Sequence, residues 1–389
     1  MVPSELYEAM HSALGLSLKK DVIENGLDAV LLRHANKDEF PFKDVAVQWM
    51  LRHKAALKCG QILDEQPHWL FPDAQILEQS TDDRLAFERF KNVTVASVID
   101  LTAGLGVDAY ALSKRCQSLI LVEKDPRRAE YLRWNFKRVK HATVVCDAAE
   151  NIDGLDAFDL VFIDPDRRDK GRRTFLLEDA TPDLTEILPK INEERAEVWL
   201  KLSPMLDIQS LQSIFPQATV SVWSIRDDVK EIALRINQHK RPVVATNLDA
   251  NHVWQTWTST EQGTEVMADK VGIYLYYPMA SARKLQPWGI LCMQYGLSML
   301  DKHTHVFTSD QYIADFPGKI WKTLEVVKPG TKDVILPEGM HVMRKNYPQT
   351  VAEIRKRYKI KEGQRLLLAC KVREKKMWIT GEALHNLME

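Results

Sequence analysis

The stretch VASVIDLTAGLGVD, residues 95–108, decides how the rest of the chain is read. An apolar run ends in Asp100 and passes directly into a turn carrying Gly104 and Gly106. A β-strand here would deliver a carboxylate at its C-terminal tip. Two glycines would let the backbone bend tightly and approach a ligand that a Cβ would block. A helix is expected to begin near Val107, with its N-terminus favouring a carboxylate or phosphate at the same place. This is a nucleotide-binding strand-turn-helix pattern. Gly104-x-Gly106-x-x-Ala109 also satisfies a dinucleotide fingerprint, so the stretch alone leaves the ligand open.

Working outward, apolar strands alternate with helices from 95 to about 203: VASVIDL and a helix over 107–115, SLILVE and a helix over 125–139, then ATVVC and a short helix. FDLVFID follows with a helix over 181–191, and the series ends on EVWLKLS. Such alternation predicts an α/β fold with a parallel sheet and right-handed crossovers, its ligand at the strands' C-terminal ends. Those ends carry Asp100, Glu123, Asp147 and Asp164. Four acidic tips in order weigh more than any single motif. The segment 218–237 predicts two further strands around an Arg226-Asp227-Asp228 turn, closing the sheet antiparallel.

The flanks differ in character. Residues 1–75 read as helices, for instance over 44–59, where Val45, Trp49 and Ala56 recur at helical spacing and Lys54 and Lys58 fall on the polar face. The core is expected over 76–238. Ser80 and Thr81 precede its first helix, either as an N-cap or as a polar loop over the ligand. Residues 239–330 read as a small α+β module containing VGIYLYYP (271–278), and 331–389 as a basic end. With 389 residues, more than one domain is expected. Net charge is −1, yet between His341 and Trp378 twelve Lys and Arg face three Glu. That +9 segment, with −10 on the remainder, is consistent with phosphate contacts. Five widely spaced cysteines without C-x-x-C pairing argue against a zinc site or disulfide framework. With no basic-then-apolar start and no apolar run of bilayer length, a soluble, cytoplasmic protein without a metal is expected. Oligomeric state is not legible.

The pattern D-x-x-x-G-x-G resembles the first motif of class I S-adenosylmethionine-dependent methyltransferases. That resemblance implies a job for each tip. Asp100, Gly104 and Gly106 would face the amino-acid end of the cofactor, Glu123 its ribose hydroxyls, and Asp147 with Ala148 its adenine. Asp164-Pro165-Asp166-Arg167-Arg168 would lie opposite the sulfonium. Amino-methyltransferases acting on bases carry a related Asn/Asp-Pro-Pro-aromatic motif there, from which Asp166 and Arg167 depart. Asp164, Pro165, Asp166 and Arg167 are the catalytic candidates. Arg168 and Lys201 are candidate substrate contacts on the same rim, and Arg167, Arg168, Arg172 and Arg173 would form a cationic border.

Longer strings extend the likeness: DLTAGLGVDAY, VEKDPRRAEYLRWNF, FIDPDRRDKGRRTFLLEDATPDL, KLSPMLDI, YLYYPMASARK, HVFTSDQYIADFPGK and KNYPQTVAEIRKRYKIKEG. Together they resemble a bacterial group of class I methyltransferases with a C-terminal THUMP-like domain. The family's Asp-Pro-Ala-Arg-Arg pattern carries Asp166 here in place of alanine. The resemblance implies a Rossmann-like core, a helical N-terminal region, a ferredoxin-like module and the THUMP-like end. THUMP domains occur in enzymes that modify transfer RNA, so RNA is the implied partner, held by Arg355, Lys356 and Arg357 among others. Three classes stay open: an RNA methyltransferase, a small-molecule or protein methyltransferase, and an RNA-binding protein with an inactive core. An NAD oxidoreductase is a fourth.

Overall fold

The computed structural model of the protein describes residues 1–34, 39–167, 177–192, 195–236, 242–249, 251–329 and 339–384, the backbone alone at Arg167. The chain divides into two compact units, Met1–Leu202 with Leu234–Gln238, and Ser203–Ala233 with His239–Glu389.

The first unit opens on helices α1 (Pro3–His11), α2 (Ala13–Asn25), α3 (Leu27–Arg33), α4 (Phe42–Ala55), α5 (Gly60–Glu65), α6 (Ala74–Gln79) and α7 (Asp83–Phe90). In α4, Val45, Ala46 and Trp49 recur at helical spacing and are buried with Leu6, Met10 and Val30. The Trp49 indole donates to the Gly15 carbonyl at 2.9 Å. Strands β1 (Ser97–Asp100), β2 (Ser118–Val122), β3 (Ala142–Val145) and β4 (Leu160–Ile163) follow, with α8 (Val107–Ser113) and α9 (Pro126–Asn135) as crossovers. Two-residue strands β5 (Asp166–Arg167) and β6 (Ala180–Thr181) pair antiparallel beyond β4. After α10 (Leu184–Ile187) comes β7 (Glu197–Leu202). The parallel sheet runs β7-β4-β1-β2-β3. Strand order reverses between β1 and β4, the switch point at which open α/β sheets bind ligands.

The helix expected over 181–191 is cut short. Asp183 caps α10, which holds four residues, and a 3₁₀ turn carrying Pro189 ends it. Buried amides tie the loop around Leu70 and Phe71 to α9 and to α4. Asn135 on α9 takes the Leu70 N–H at 2.9 Å and returns a bond to its carbonyl at 3.0 Å. Gln48 likewise bonds both polar groups of the Phe71 backbone.

The second unit contains α11 (Ile208–Ile214), β8 (Thr219–Ile225) and β9 (Asp228–Ile236), whose last residues belong to the first unit. β8 and β9 flank the expected Arg226-Asp227 turn, with Arg226 at φ 55°. β10 (Val243–Leu248) runs parallel to β8, and β11 (Trp254–Ser259) antiparallel to β10. A seven-stranded sheet comprises β12 (Tyr274–Pro278), β13 (Ser298–Met299), β14 (Phe307–Ser309), β15 (Gly318–Val327), β16 (Gly339–Lys345), β17 (Lys361–Val372) and β18 (Lys375–Ala383). Helices α12 (Ala280–Leu285) and α13 (Trp288–Tyr295) follow β12, and α14 (Val351–Tyr358) links β16 to β17, which are parallel. The basic helix expected in KNYPQTVAEIRKRY is α14, closed at its start by a Thr350–Glu353 capping box. β15 pairs with β18, so segments from 239–330 and 331–389 share this one sheet.

Candidate active site at the β1/β4 switch point

Asp100 ends β1 and is 1% exposed. Its Oδ1 accepts from the Thr102 N–H at 2.9 Å. Desolvation pushes its carboxyl up to about 8, a shift reinforced by the neighbouring Asp108 and Asp164 charges. The Thr102 hydroxyl oxygen in turn accepts from the Asp164 N–H at 2.6 Å, tying the two strand tips together.

Lys201, on β7, is the hub of this end of the sheet. Its ammonium donates to Asp164, to the Thr81 hydroxyl at 2.8 Å and to Asp108 at 3.5 Å. Asp108 also takes Arg89 Nη1 at 2.5 Å and the Thr81 hydroxyl at 2.5 Å. Burial works against the Asp108 anion, but the Lys201 and Arg89 charges hold its carboxyl below the ordinary range. Asp164 moves the other way. Desolvation raises its carboxyl, with Lys201 opposing and Asp108 assisting. Asp108 and Asp164 thus face Lys201 and Arg89, and the raised Asp100 carboxyl beside them would ionise more readily next to a further positive group.

The remaining tips lie along the same strand ends. Glu123, 9% exposed, accepts the Asp125 N–H at 2.8 Å. Asp147 is exposed, and its Oδ1 accepts from Asn151 and from the Ala148 N–H, both at 2.8 Å, which lowers its carboxyl. Pro165 is buried and Asp166 exposed. Arg168, Arg172 and Arg173 lie outside the described residues. In the second unit Lys356 and Arg357 are exposed on α14. Arg355 is engaged internally, donating to Glu362 at 2.5 Å and to the Met340 carbonyl at 3.2 Å.

The two glycines do different things. Gly104, at φ +52°, has room: a Cβ there would meet only ordinary contacts at 3.7 and 3.9 Å. Gly106, at φ +89°, has none, because a Cβ would lie 2.6 Å from Phe136 and 2.8 Å from Leu132. It therefore lets the turn pack onto α9 side chains.

Sequence reasoning missed Arg89 and the part played by Asp108. Arg89 lies on the Leu85-Ala86-Phe90 face of α7, all buried, and an arginine on an apolar face was the available signal. Thr81 is not the cap of α7. Asp82 caps it, accepting the Arg84 N–H, which leaves the Thr81 hydroxyl for Asp108. Among the described residues no group of His, Cys, Asp and Glu could hold a metal ion, and no helix is long and apolar enough to cross a membrane. All five cysteines are free thiols.

Residues 83–175 match the family described as Conserved hypothetical protein 95, and residues 274–317 match a ferredoxin-like domain. Two Mycobacterium tuberculosis proteins, from strains CDC 1551 and H37Rv, are each 28% identical over 187 residues, 48% of this chain and 51% of theirs. Both are described as uncharacterized S-adenosylmethionine-dependent methyltransferases. The chain thus spans about half the length of these curated relatives. A Porphyromonas gingivalis W83 crystal structure, described as a candidate methyltransferase, aligns over 99% of this chain and 100% of its own, with 22% identity and a TM-score of 0.82. That likeness shows the fold over the whole length. Together these matches support a methyltransferase family, with a ferredoxin-like segment at 274–317.

Proposed function

We propose that the chain is an S-adenosylmethionine-dependent methyltransferase acting on RNA. The observation that carries this reading is the cluster at the switch point, where Asp100 and Asp164 stand at neighbouring strand ends joined through Thr102 and Lys201 pins Asp164. The donor set fits the cofactor: an excess of carboxyls suits its ammonium and sulfonium, Glu123 suits ribose hydroxyls, and Asp147 with Ala148 the adenine. When bound, that cofactor supplies a methyl group on a positively charged sulfur. The protein's share is positioning and exclusion of water, worth up to ~7–11 kcal/mol in favourable oriented cases. In this reading Asp164 accepts a hydrogen bond from the acceptor and aims its lone pair, with Pro165, Asp166 and Arg167 forming the edge beside it. Lys201 holds the Asp164 carboxyl in place and opposes the rise that burial imposes on it.

RNA as acceptor is supported by the exposed cations of the second unit, among them Arg344, Lys356, Arg357, Lys359, Lys361, Lys375 and Lys376. Segment 331–389 is read as the THUMP-like part that holds the strand, with transfer RNA as the class to examine first. The test is incubation with radiolabelled S-adenosylmethionine and total cellular RNA. Label that RNase removes supports the reading. Label that only protease removes, or that stays on small molecules, overturns the RNA part of it.

A further inference from the structure

Three motifs that the switch-point site does not use converge inside the second unit. The Arg226-Asp227 turn, Tyr277-Pro278 of YLYYPMASARK and Lys319 line one cavity of about 80 Å³ together with Asn247, Asp249 and Gln255. That is several times the roughly 10–15 Å³ a single water needs. Arg283 and Lys345 close in behind Tyr277. The Arg283 guanidinium lies 4.3 Å from the Tyr277 ring centroid and the Lys345 ammonium 4.5 Å, and Lys345 also donates to the Tyr277 hydroxyl.

The charges here do not balance. Asp227 is bonded to Arg283 at 2.6 Å, and Asp249 accepts backbone N–H groups of its own turn at 2.8 and 2.9 Å. Arg283 nevertheless keeps Nη1 buried without a hydrogen-bond partner. Among the described residues Arg226 and Lys319 have no ionic partner. Burial and the Arg283 charge push Lys345 down to about 8, with Asp227 opposing and Arg344 and Lys319 adding to the effect. Arg226 and Lys319 line a cavity whose two carboxylates are occupied, and Arg283 and Lys345 stand behind its Tyr277 wall. Arginine forks match phosphate oxygens, and the Asn247 and Gln255 amides offer polar groups beside them.

We propose that this cavity binds the phosphate of a nucleotide, held by Arg226 and Lys319 on its wall and favoured by the Arg283 and Lys345 charges behind Tyr277. The site is built from residues of the second unit alone and does not depend on methyl transfer. Its ligand is a free nucleotide or a nucleotide unit of an RNA strand, which share this chemistry.

The experiment is calorimetric titration of the full chain with 5′-AMP, adenosine, and a 5′-phosphorylated tri-adenylate. Arg226→Gln, an exposed position, and Lys345→Met serve as variants, with Lys345→Arg as the charge-conserving control. Binding of AMP that falls at least tenfold in both neutralising variants, with adenosine inert, supports the site with a free nucleotide as its ligand. Binding of the trinucleotide alone, lost in the same variants, supports it with a strand as its ligand. Equal binding to wild type and Arg226→Gln, equal binding of adenosine, or no binding of either phosphate overturns it. S-adenosylhomocysteine titrated into the same samples reports the switch-point site separately, so loss of one reading leaves the other measurable.

Discussion

Replacing Lys201 by methionine keeps the length and apolar body of the side chain and removes its charge, so the variant isolates what the ammonium does. In the structure that ammonium is 12% exposed and serves Asp164, Asp108 and Thr81 together. Removing one partner of a fully buried ion pair costs about 3–5 kcal/mol. Two features reduce the figure here: Asp108 keeps Arg89, and Asp164 is 36% exposed, so water screens it. A loss of about 1–3 kcal/mol is expected, comparable to a hydrogen bond to a charged group. At roughly 2–4 °C per kcal/mol the melting temperature should fall by several degrees. The pH profile carries the more specific signature. Lys201 lowers the Asp164 pKa, so its removal raises it further, and the acid limb of the methyl-transfer rate moves to higher pH. Lys201→Arg should restore part of the limb. An unchanged acid limb in an active, folded Lys201→Met protein would refute the reasoning, because Asp164 would then not depend on Lys201.

Gly106→Ala should destabilise the protein by about 2–5 kcal/mol, summing left-handed backbone strain and overpacking against Phe136 and Leu132, whereas Gly104→Ala should show the backbone part alone; urea unfolding compares them. His68 is 1% exposed, and burial with the nearby Lys137 charge pushes it down to about 4. The unfolded chain takes up that proton first, so stability present above pH 6.5 is lost as pH falls towards 4, by up to about 3 kcal/mol. His68→Gln should lose that much less than wild type between pH 7.5 and 4.5 in paired urea titrations. Reversing Lys356 and Arg357 to Glu should weaken RNA binding and flatten its log-log salt slope by roughly 0.7 per lost single-strand contact. A slope equal to wild type in filter binding would place the RNA elsewhere.

The strand tips were legible because each joins two local signals, an apolar run and the carboxylate that ends it, and β1 to β4 needed no more than that. The network behind them was not. Thr81 lies 27 residues from Asp108, Arg89 lies 19 from it and Lys201 lies 93, and side-chain pairings at such separations depend on how α7 packs against α8. The +9 segment counts every cation alike, yet Lys345 and Arg355 are taken up by Tyr277 and Glu362, and the exposed Arg373 pairs with Asp269. Charge counting cannot see which cations the fold consumes. The strings YLYYPMASARK and KNYPQT stood out as motifs, but that Tyr277, Arg283 and Lys345 touch is a property of β12, α12 and β16 lying together.

The most direct test of the central claim is Asp164→Ala, measured for cofactor affinity and for single-turnover methyl transfer on the same preparation. The account predicts S-adenosylmethionine affinity close to wild type with a large fall in turnover, the mark of an interaction concentrated in the transition state. Equal losses in affinity and turnover would move Asp164 into the cofactor site, and full turnover would remove it from the chemistry altogether.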